Sequence, residues 1–387
     1  MSDESGWVVS AFAGMASKWL MPKKKISKKA ATEVSRITAG AVAAEKLEQA
    51  FPAINLPVRP PFPPADARSV AEIPGDEGWL YEPKWDGFRC LAFRKDDQVL
   101  LQSKAGQPLG RYFPELVEAV KTLDENQFVL DGEIVIYSGA HLSFDDLLMR
   151  IHPAASRIRK LSAEMPATLM CFDLLVDAKG KLLTDLPLAE RRKQMEQFFR
   201  NLPKKGMLRL SPASEKRAQA EKWMTELASM GLDGIIAKRL DASYASGERT
   251  AMVKIKRIRT ADCVVGGFRY SEKGGGIGSL LLGLYSEKGI LDHVGFTSSF
   301  NNDQKQKLRS VVKPLIGGSG FTGRAPGGPS RWSTERSSEW QPLKPKLVCE
   351  VQYDHFSGGR FRHGTKFLRW RPEKKTEQCT LEQVQRK

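Results

Sequence analysis

"YEPKWDGFRCLAFR", residues 81–94, interrupts strand-forming sequence with an amine, a carboxylate and a glycine. The apolar runs on either side read as two strands, and Lys84, Trp85, Asp86 and Gly87 form the turn between them. Lysine is among the residues least often buried, and glycine weakens a strand interior, so the turn is either a solvated hairpin or a chemical device. A protonated lysine is a poor nucleophile. Desolvation or a neighbouring cation lowers its pKa and makes it a good one. A glycine beside it lets a bulky ligand approach the backbone. Asp86 is placed to orient the amine or to meet a ribose hydroxyl. K-x-D-G thus reads as an element of covalent catalysis, but three fixed letters are a weak signal by themselves.

Further elements follow in order. In "FVLDGEIVIY", Asp131 and Glu133 lie two apart and face the same way on a strand. Two carboxylates on one face of an apolar strand are costly unless a cation sits near them; the plainer reading is one exposed sheet face. In "GLDGIIAKR", Asp233 precedes a short apolar strand ending at Lys238. In "MVKIKRI", Lys254 and Lys256 share a face, where their repulsion would be reversed by a bound polyphosphate; a solvated edge is the alternative. Phe172 in "CFDLL" is either a core residue or a platform for a base.

Composition sets the outer bounds. At 387 residues the chain exceeds one ordinary domain, and 41% hydrophobic with 27% charged residues is globular rather than disordered. Its net charge of +16 favours a polyanionic partner, nucleic acid before membrane. The five cysteines are scattered without a C-x-x-C pair, and the five histidines lack metal-ligand spacing, which fits a reducing compartment and excludes a zinc ribbon. No run of about 18 apolar residues is present to span a membrane. Trp7–Leu20 is somewhat apolar, but Asp3 and Glu4 stand where a signal peptide would be positive.

Three regions emerge. Residues 1–54 read as a basic and helical extension, with six lysines between Lys18 and Lys29 and an alanine-rich helical run from Ala30 to Phe51. The proline-rich "LPVRPPFPPADA" marks a boundary. Residues 55–259 alternate strands (88–93, 127–136, 168–176, 234–238) with helices (114–122, 187–200, 214–230), a mixed domain whose spacing does not tell parallel from antiparallel sheets. Residues 260–387 are short strands with glycine turns, suggesting a small barrel or sandwich. "GGGIGSLLLG" reads as a hairpin turn, because a strand and not a helix follows the glycines. Residues 317–330 read as a flexible loop. This last region holds 21 basic and 12 acidic side chains, a plausible grip on a nucleic-acid backbone.

Taken together, the lysine turn, "LQSKAG", "LDGEIV", "FDLL", "DGIIAK", "VKIK" and "FLRWRPEKK" resemble the motif series of the covalent nucleotidyltransferases. From about Leu56 to the end the likeness is to ATP-dependent DNA ligases of the bacterial end-joining type, with "GGRFRHGTKFLRWRP" and "SYASGERT" especially similar to the stand-alone ligase C pattern. The resemblance implies an α+β fold: an adenylation domain with antiparallel sheets, then an all-β OB-fold domain. It implies that Lys84 attacks the α-phosphate of ATP and carries AMP, which then passes to a 5′-phosphate at a DNA nick. Glu82, Asp86, Arg89, Lys104, Glu133, Phe172, Arg249, Lys254, Lys256, Arg371 and Lys374 would bind the nucleotide, with Phe172 on the adenine and Arg371 and Lys374 on the pyrophosphate. Glu133 and Asp233 would serve Mg²⁺ or Mn²⁺. A monomeric, cytoplasmic, nucleoid-associated bacterial enzyme is implied, acting on nicked double-stranded DNA in break joining or excision repair, with a Ku-type end-binding protein as a partner. Lys104 stands where arginine is usual, Asp233 for glutamate, Met252 for tryptophan and Glu373 for aspartate. The motif chemistry leaves open an RNA ligase, a capping-type guanylyltransferase, or a nucleic-acid-binding relative without catalysis.

Overall fold

The computed structural model describes residues 51–385 except 201, 203–205, 227–231, 233, 272–275 and 328–338. The N-terminal extension, including its expected helix up to Ala50, lies outside the described residues, as does Asp233.

The first part is built on two sheets. The larger runs in the order Gln98–Ser103, Phe88–Lys95, Gln127–Ser138, Ala167–Val176, Leu208–Leu210. Its even-numbered face (Cys90, Ala92, Leu130, Ile134) packs against helices Pro114–Lys121 and Leu188–Arg200 through Leu116, Val120, Met195 and Phe198. The smaller sheet runs Arg68–Val70, Met252–Lys256, Gly234–Arg239, Trp79–Pro83 and is covered by helix Arg217–Glu226. Leu91, Phe93 and Val129 from the large sheet meet Met252, Tyr244 and the Ile54–Ala67 lead-in in a third core, which joins the two sheets. Pairing is antiparallel except for two short edge strands, Arg68–Val70 and Leu208–Leu210. The parallel-or-antiparallel ambiguity of the sequence resolves accordingly.

The second part is a barrel of five strands in the order Leu291–Thr297, Ile277–Tyr285, Arg259–Tyr270, Val348–Tyr353, Lys366–Trp370. Its outer strands are drawn together where Thr297 bridges Thr365, with Thr365 N donating to the Phe296 oxygen at 3.0 Å. This is the closure pattern of an OB fold. Strands Arg259–Tyr270 and Ile277–Tyr285 pair antiparallel, as the hairpin reading of the glycine run required. Two features differ from expectation. Helix Asn302–Val312 inserts after the third strand, opened by a capping box between Asn301 and Gln304. The start of the supposed loop is packed rather than free, because Phe321 is buried in the barrel core.

Cys90 and Cys171 are buried in the first part, and Cys263, Cys349 and Cys379 in the barrel. Among the described residues no helix is long and apolar enough to cross a membrane.

Candidate active site

The lysine turn is not a hairpin. Strand Trp79–Pro83 pairs with Gly234–Arg239 in the small sheet, whereas Phe88–Lys95 belongs to the large one. The four residues between them carry the chain across the seam between the sheets. Lys84 N donates to the Gly234 oxygen at 2.9 Å, and Trp85 Nε1 to Ser211 Oγ at 3.0 Å, so the crossing is tied to both neighbours. Gly87 is needed for a reason other than ligand approach: a Cβ there would overlap the carbonyl oxygen of Ile134 on the adjacent strand. The chain breaks its strand because it changes sheets, and that crossing sets Lys84 at the mouth of the gap.

The gap is a cavity of about 540 Å³ lined by Lys84, Lys104, Lys254, Arg89, Glu133 and Phe172, among others. Strand register explains part of this set, since Arg89 lies directly opposite Glu133. Asp131, two residues back on the same face, is fully buried and answered by Arg89, whose Nε and Nη2 each donate to it at 2.6 Å. The cation beside that carboxylate pair is therefore a guanidinium of the protein itself. A closed circuit holds it: Arg89 Nη2 donates to the Ala65 oxygen, Ala65 N to the Tyr244 hydroxyl, and that hydroxyl to Asp131 at 2.6 Å. Glu133 is different. Burial pushes its carboxyl up to about 7, although Arg89 and Lys84 pull it down.

Phe172 is 8% exposed, and the Arg89 guanidinium and Lys238 ammonium each lie 4.6 Å from its ring centre. Lys238 Nζ also donates to Glu82 at 3.0 Å and to the Phe172 oxygen at 2.9 Å. Burial raises the pKa of Glu82, opposed by Lys238 and Arg192.

Asp66, at the end of the proline-rich lead-in, joins the cationic wall. It pairs with Lys104 at 2.9 Å and Arg249 at 3.0 Å, with Lys254 at 4.0 Å. Burial opposes its ionisation, but hydrogen bonds from Lys104 and Ala67 N and the charges of Lys104 and Lys254 hold its carboxyl down to about 2.

A lysine in a cationic cavity beside a barrel domain is what the motif series implied, and comparison with known proteins decides the matter. Residues 65–256 match the ATP dependent DNA ligase domain and residues 273–374 the ATP dependent DNA ligase C terminal region. The chain belongs to the ATP-dependent DNA ligase family. It is 43% identical over 341 residues to DNA ligase C1 of Mycolicibacterium smegmatis, covering 86% of this chain and 96% of that one. It is 28% identical over 309 residues to the multifunctional non-homologous end joining DNA repair protein LigD of Mycobacterium tuberculosis, covering 79% of this chain and 37% of that one. In fold it is similar to the solved structure Pmar-Lig_Pre, with TM-score 0.55, 16% identity, and coverage of 90% of this chain and 72% of that one. The protein is thus an ATP-dependent DNA ligase, and the RNA ligase and capping alternatives give way.

In this ligase the cavity gathers Lys84, Glu82, Arg89, Lys104, Glu133, Phe172 and Lys254 from the motif residues. The others stand elsewhere. Asp86 accepts two 2.8 Å bonds from Arg362 Nη1 of the barrel, with His355 at 3.8 Å. Lys256 pairs with Asp354 of the barrel at 2.9 Å. Arg249 is exposed and reaches the cavity only through Asp66. Arg371 and Lys374 are not at the cavity; both are held by Asp262 within the barrel. Asp233 lies outside the described residues, and among those residues no three histidines, cysteines or carboxylates gather as a metal cluster. Sequence reading missed Asp66, Asp131, Lys238, Tyr244 and Arg362 as participants. All five sat inside quoted stretches, Asp66 in the proline-rich lead-in, Tyr244 in "SYASGERT" and Arg362 in "GGRFRHGTKFLRWRP", so their positions were visible while their partners, far along the chain, were not.

Proposed function

We propose that the cavity is the adenylation site and that Lys84 is the nucleophile of nick sealing. The reading is carried by one observation: Lys84 sits at the seam of two sheets, in a cavity shared by Lys104, Lys254, Arg89 and Glu133. The Lys84 amine forms a bond to the α-phosphorus of ATP as the bond to the pyrophosphate oxygen breaks. A 5′-phosphate oxygen of nicked duplex DNA then takes the adenylyl group and returns the amine to Lys84. The 3′-hydroxyl next attacks that 5′-phosphorus, so the strand is joined and AMP leaves. Charge builds on non-bridging oxygens at each step, and fixed cations stabilise it without reorganising. Lys104 and Lys254 meet phosphate oxygens, Arg89 is locked by Asp131 and Tyr244, and Phe172 stacks on the base. Glu82 sits at the base end with Lys238.

Glu133 suits a divalent cation. Its burial-raised carboxyl gains most from a positive neighbour, and Mg²⁺ is commonly held by one or two carboxylates plus substrate phosphates. Such an ion would neutralise phosphate charge; Asp233 is its second proposed ligand. The rest of the assignment is of the same standing: an extension over 1–54, an adenylation domain over 55–259 and an OB domain over 260–387. A monomer in the bacterial cytoplasm at the nucleoid, serving break joining or excision repair with a Ku-type partner, belongs to the same proposal; likeness to ligase C and LigD supports the repair role.

The barrel has two faces to offer. Residues 354–363 meet Asp86 and Lys256, while Arg371 and Lys374 point elsewhere. This supports a swing about the short link at Arg257 and Ile258, the latter 57% exposed. One face serves the ATP step and the other the DNA steps. The primary test is labelling with α-labelled ATP and Mg²⁺ on a denaturing gel. Wild type should carry acid-labile label and Lys84→Ala none; equal labelling removes the assignment.

A further inference from the structure

Asp66 belongs to none of the motifs, yet it touches more of the cationic wall than any of them. The wall itself poses a problem. Lys84, Lys104, Lys254 and Lys256 are close enough that the other three all push the Lys254 ammonium toward deprotonation, on top of the larger effect of burial. Lys104 is 57% exposed at its side chain, a condition in which a lysine samples many rotamers. A wall of this kind, left alone, loses charge at one end and order at the other.

Asp66 counters both losses. Its backbone is pinned, with N donating to the Glu248 oxygen at 2.8 Å, and its Oδ1 accepts from Ala67 N at 2.9 Å. Neighbouring Ala65 is tied into the Arg89–Asp131–Tyr244 circuit. The carboxylate is therefore a fixed point. It draws on Lys104, which follows the large-sheet strand Gln98–Ser103, and on Lys254 of the small-sheet strand Met252–Lys256. One anion thus spans the gap between two sheets and collects a cation from each. It also holds Arg249 at the rim.

We propose that Asp66 is a positioning residue for adenylyl transfer, holding Lys104 and Lys254 charged and aimed into the cavity where the phosphates of ATP lie. The inference rests on the reading of that cavity as the adenylation site. Asp66 acts through the lysines and touches no reacting atom. Its carboxyl stays ionised across the working range, since its pKa is held to about 2. Of the described charged groups that act most on Lys254, namely Asp66 from the lead-in, Lys104 and Lys84 from the two turns and Lys256 on its own strand, Asp66 is the one that supports the ammonium. Removing that charge lowers the Lys254 pKa further, so the cation is lost at a lower pH.

The experiment is single-turnover self-adenylation with saturating ATP and Mg²⁺ from pH 6.5 to 10, on the full chain. Asp66→Asn keeps the shape and removes the charge. Its maximal rate should fall about tenfold from misaligned cations, and its alkaline limb should move down by roughly half to one pH unit. Asp66→Glu keeps the charge and should leave the limb in place; it also serves if the asparagine variant fails to fold. A wild-type rate and pH profile for Asp66→Asn overturns the proposal, as does a shifted limb for a folded Asp66→Glu. Lys84→Ala is run alongside. If it still takes label, the site reading has failed; if it is dead while Asp66→Asn is unchanged, only the role of Asp66 has.

Discussion

Replacing Glu133 by glutamine should make the nucleotide-free protein more stable, slightly at pH 5 and most from neutral pH upward. Burial raises this carboxyl from 4.5 to about 7 in the folded state, so the native protein favours the protonated form. Stability is full below the unfolded value and falls as pH rises through the interval up to about 7. Linkage puts the cost at about 1 kcal/mol at pH 5 and about 3 kcal/mol at pH 8.5. Because Glu133 lines a cavity that admits solvent, about 2 kcal/mol at pH 8.5 is the better expectation. Glutamine keeps the shape and does not titrate. Urea unfolding of both proteins, with chelator and without ATP, should show the variant more stable by that amount at pH 8.5 and by less than about 1 kcal/mol at pH 5. Self-adenylation of the variant should fall at least about 100-fold. A stability difference that is constant with pH, or a variant less stable at pH 8.5, would refute the claim that Glu133 is held at a cost for function.

Arg362→Ala removes the guanidinium that joins the barrel to Asp86. It should slow sealing of a pre-adenylated nick about 10- to 100-fold while single-turnover self-adenylation stays within about threefold; equal losses would show a general folding defect. Lys374→Ala should do the reverse, blocking enzyme–AMP formation yet sealing pre-adenylated DNA, because pyrophosphate has already left. A matched drop in both assays would count against the two-faced barrel. Gly87→Ala should cost more than about 3 kcal/mol in chemical denaturation, since its Cβ meets backbone that cannot give way. A near-wild-type midpoint would mean the strands part more easily than their register suggests.

Much of the adenylation site was legible because its chemistry is written in short local words. Arg89, Glu133, Phe172 and Lys254 each lie in a motif on a strand whose alternation sets the facing direction, and Lys84 lies in the motif between two strands. What the words could not convey was the seam. A K-x-D-G turn between two strands looks like a hairpin until the strands prove to belong to different sheets, and only then does Gly87 acquire its reason. Asp66 pairs with residues far along the chain, and Arg362 meets Asp86 across 276 positions, so neither leaves a local pattern. The location of Arg371 and Lys374 depends on how the barrel is turned, which no motif encodes. The barrel helix was passed over although its capping box, Asn301 with Gln304, could be read directly; its polar composition hid the period.

The burial of all five thiols has a practical consequence. Burial pushes the buried thiols up, so the thiolate needed for reaction with peroxide or an alkylating reagent is scarce while the fold is closed. Modification then measures opening rather than surface chemistry. Cys90 and Cys171 report on the sheet-and-helix part, and Cys263, Cys349 and Cys379 on the barrel. Brief exposure to iodoacetamide in rising urea, read peptide by peptide in a mass spectrometer, would show which part yields first. The protein thus contains its own pair of unfolding clocks, and it should tolerate oxidant that would disable an enzyme with a surface thiol.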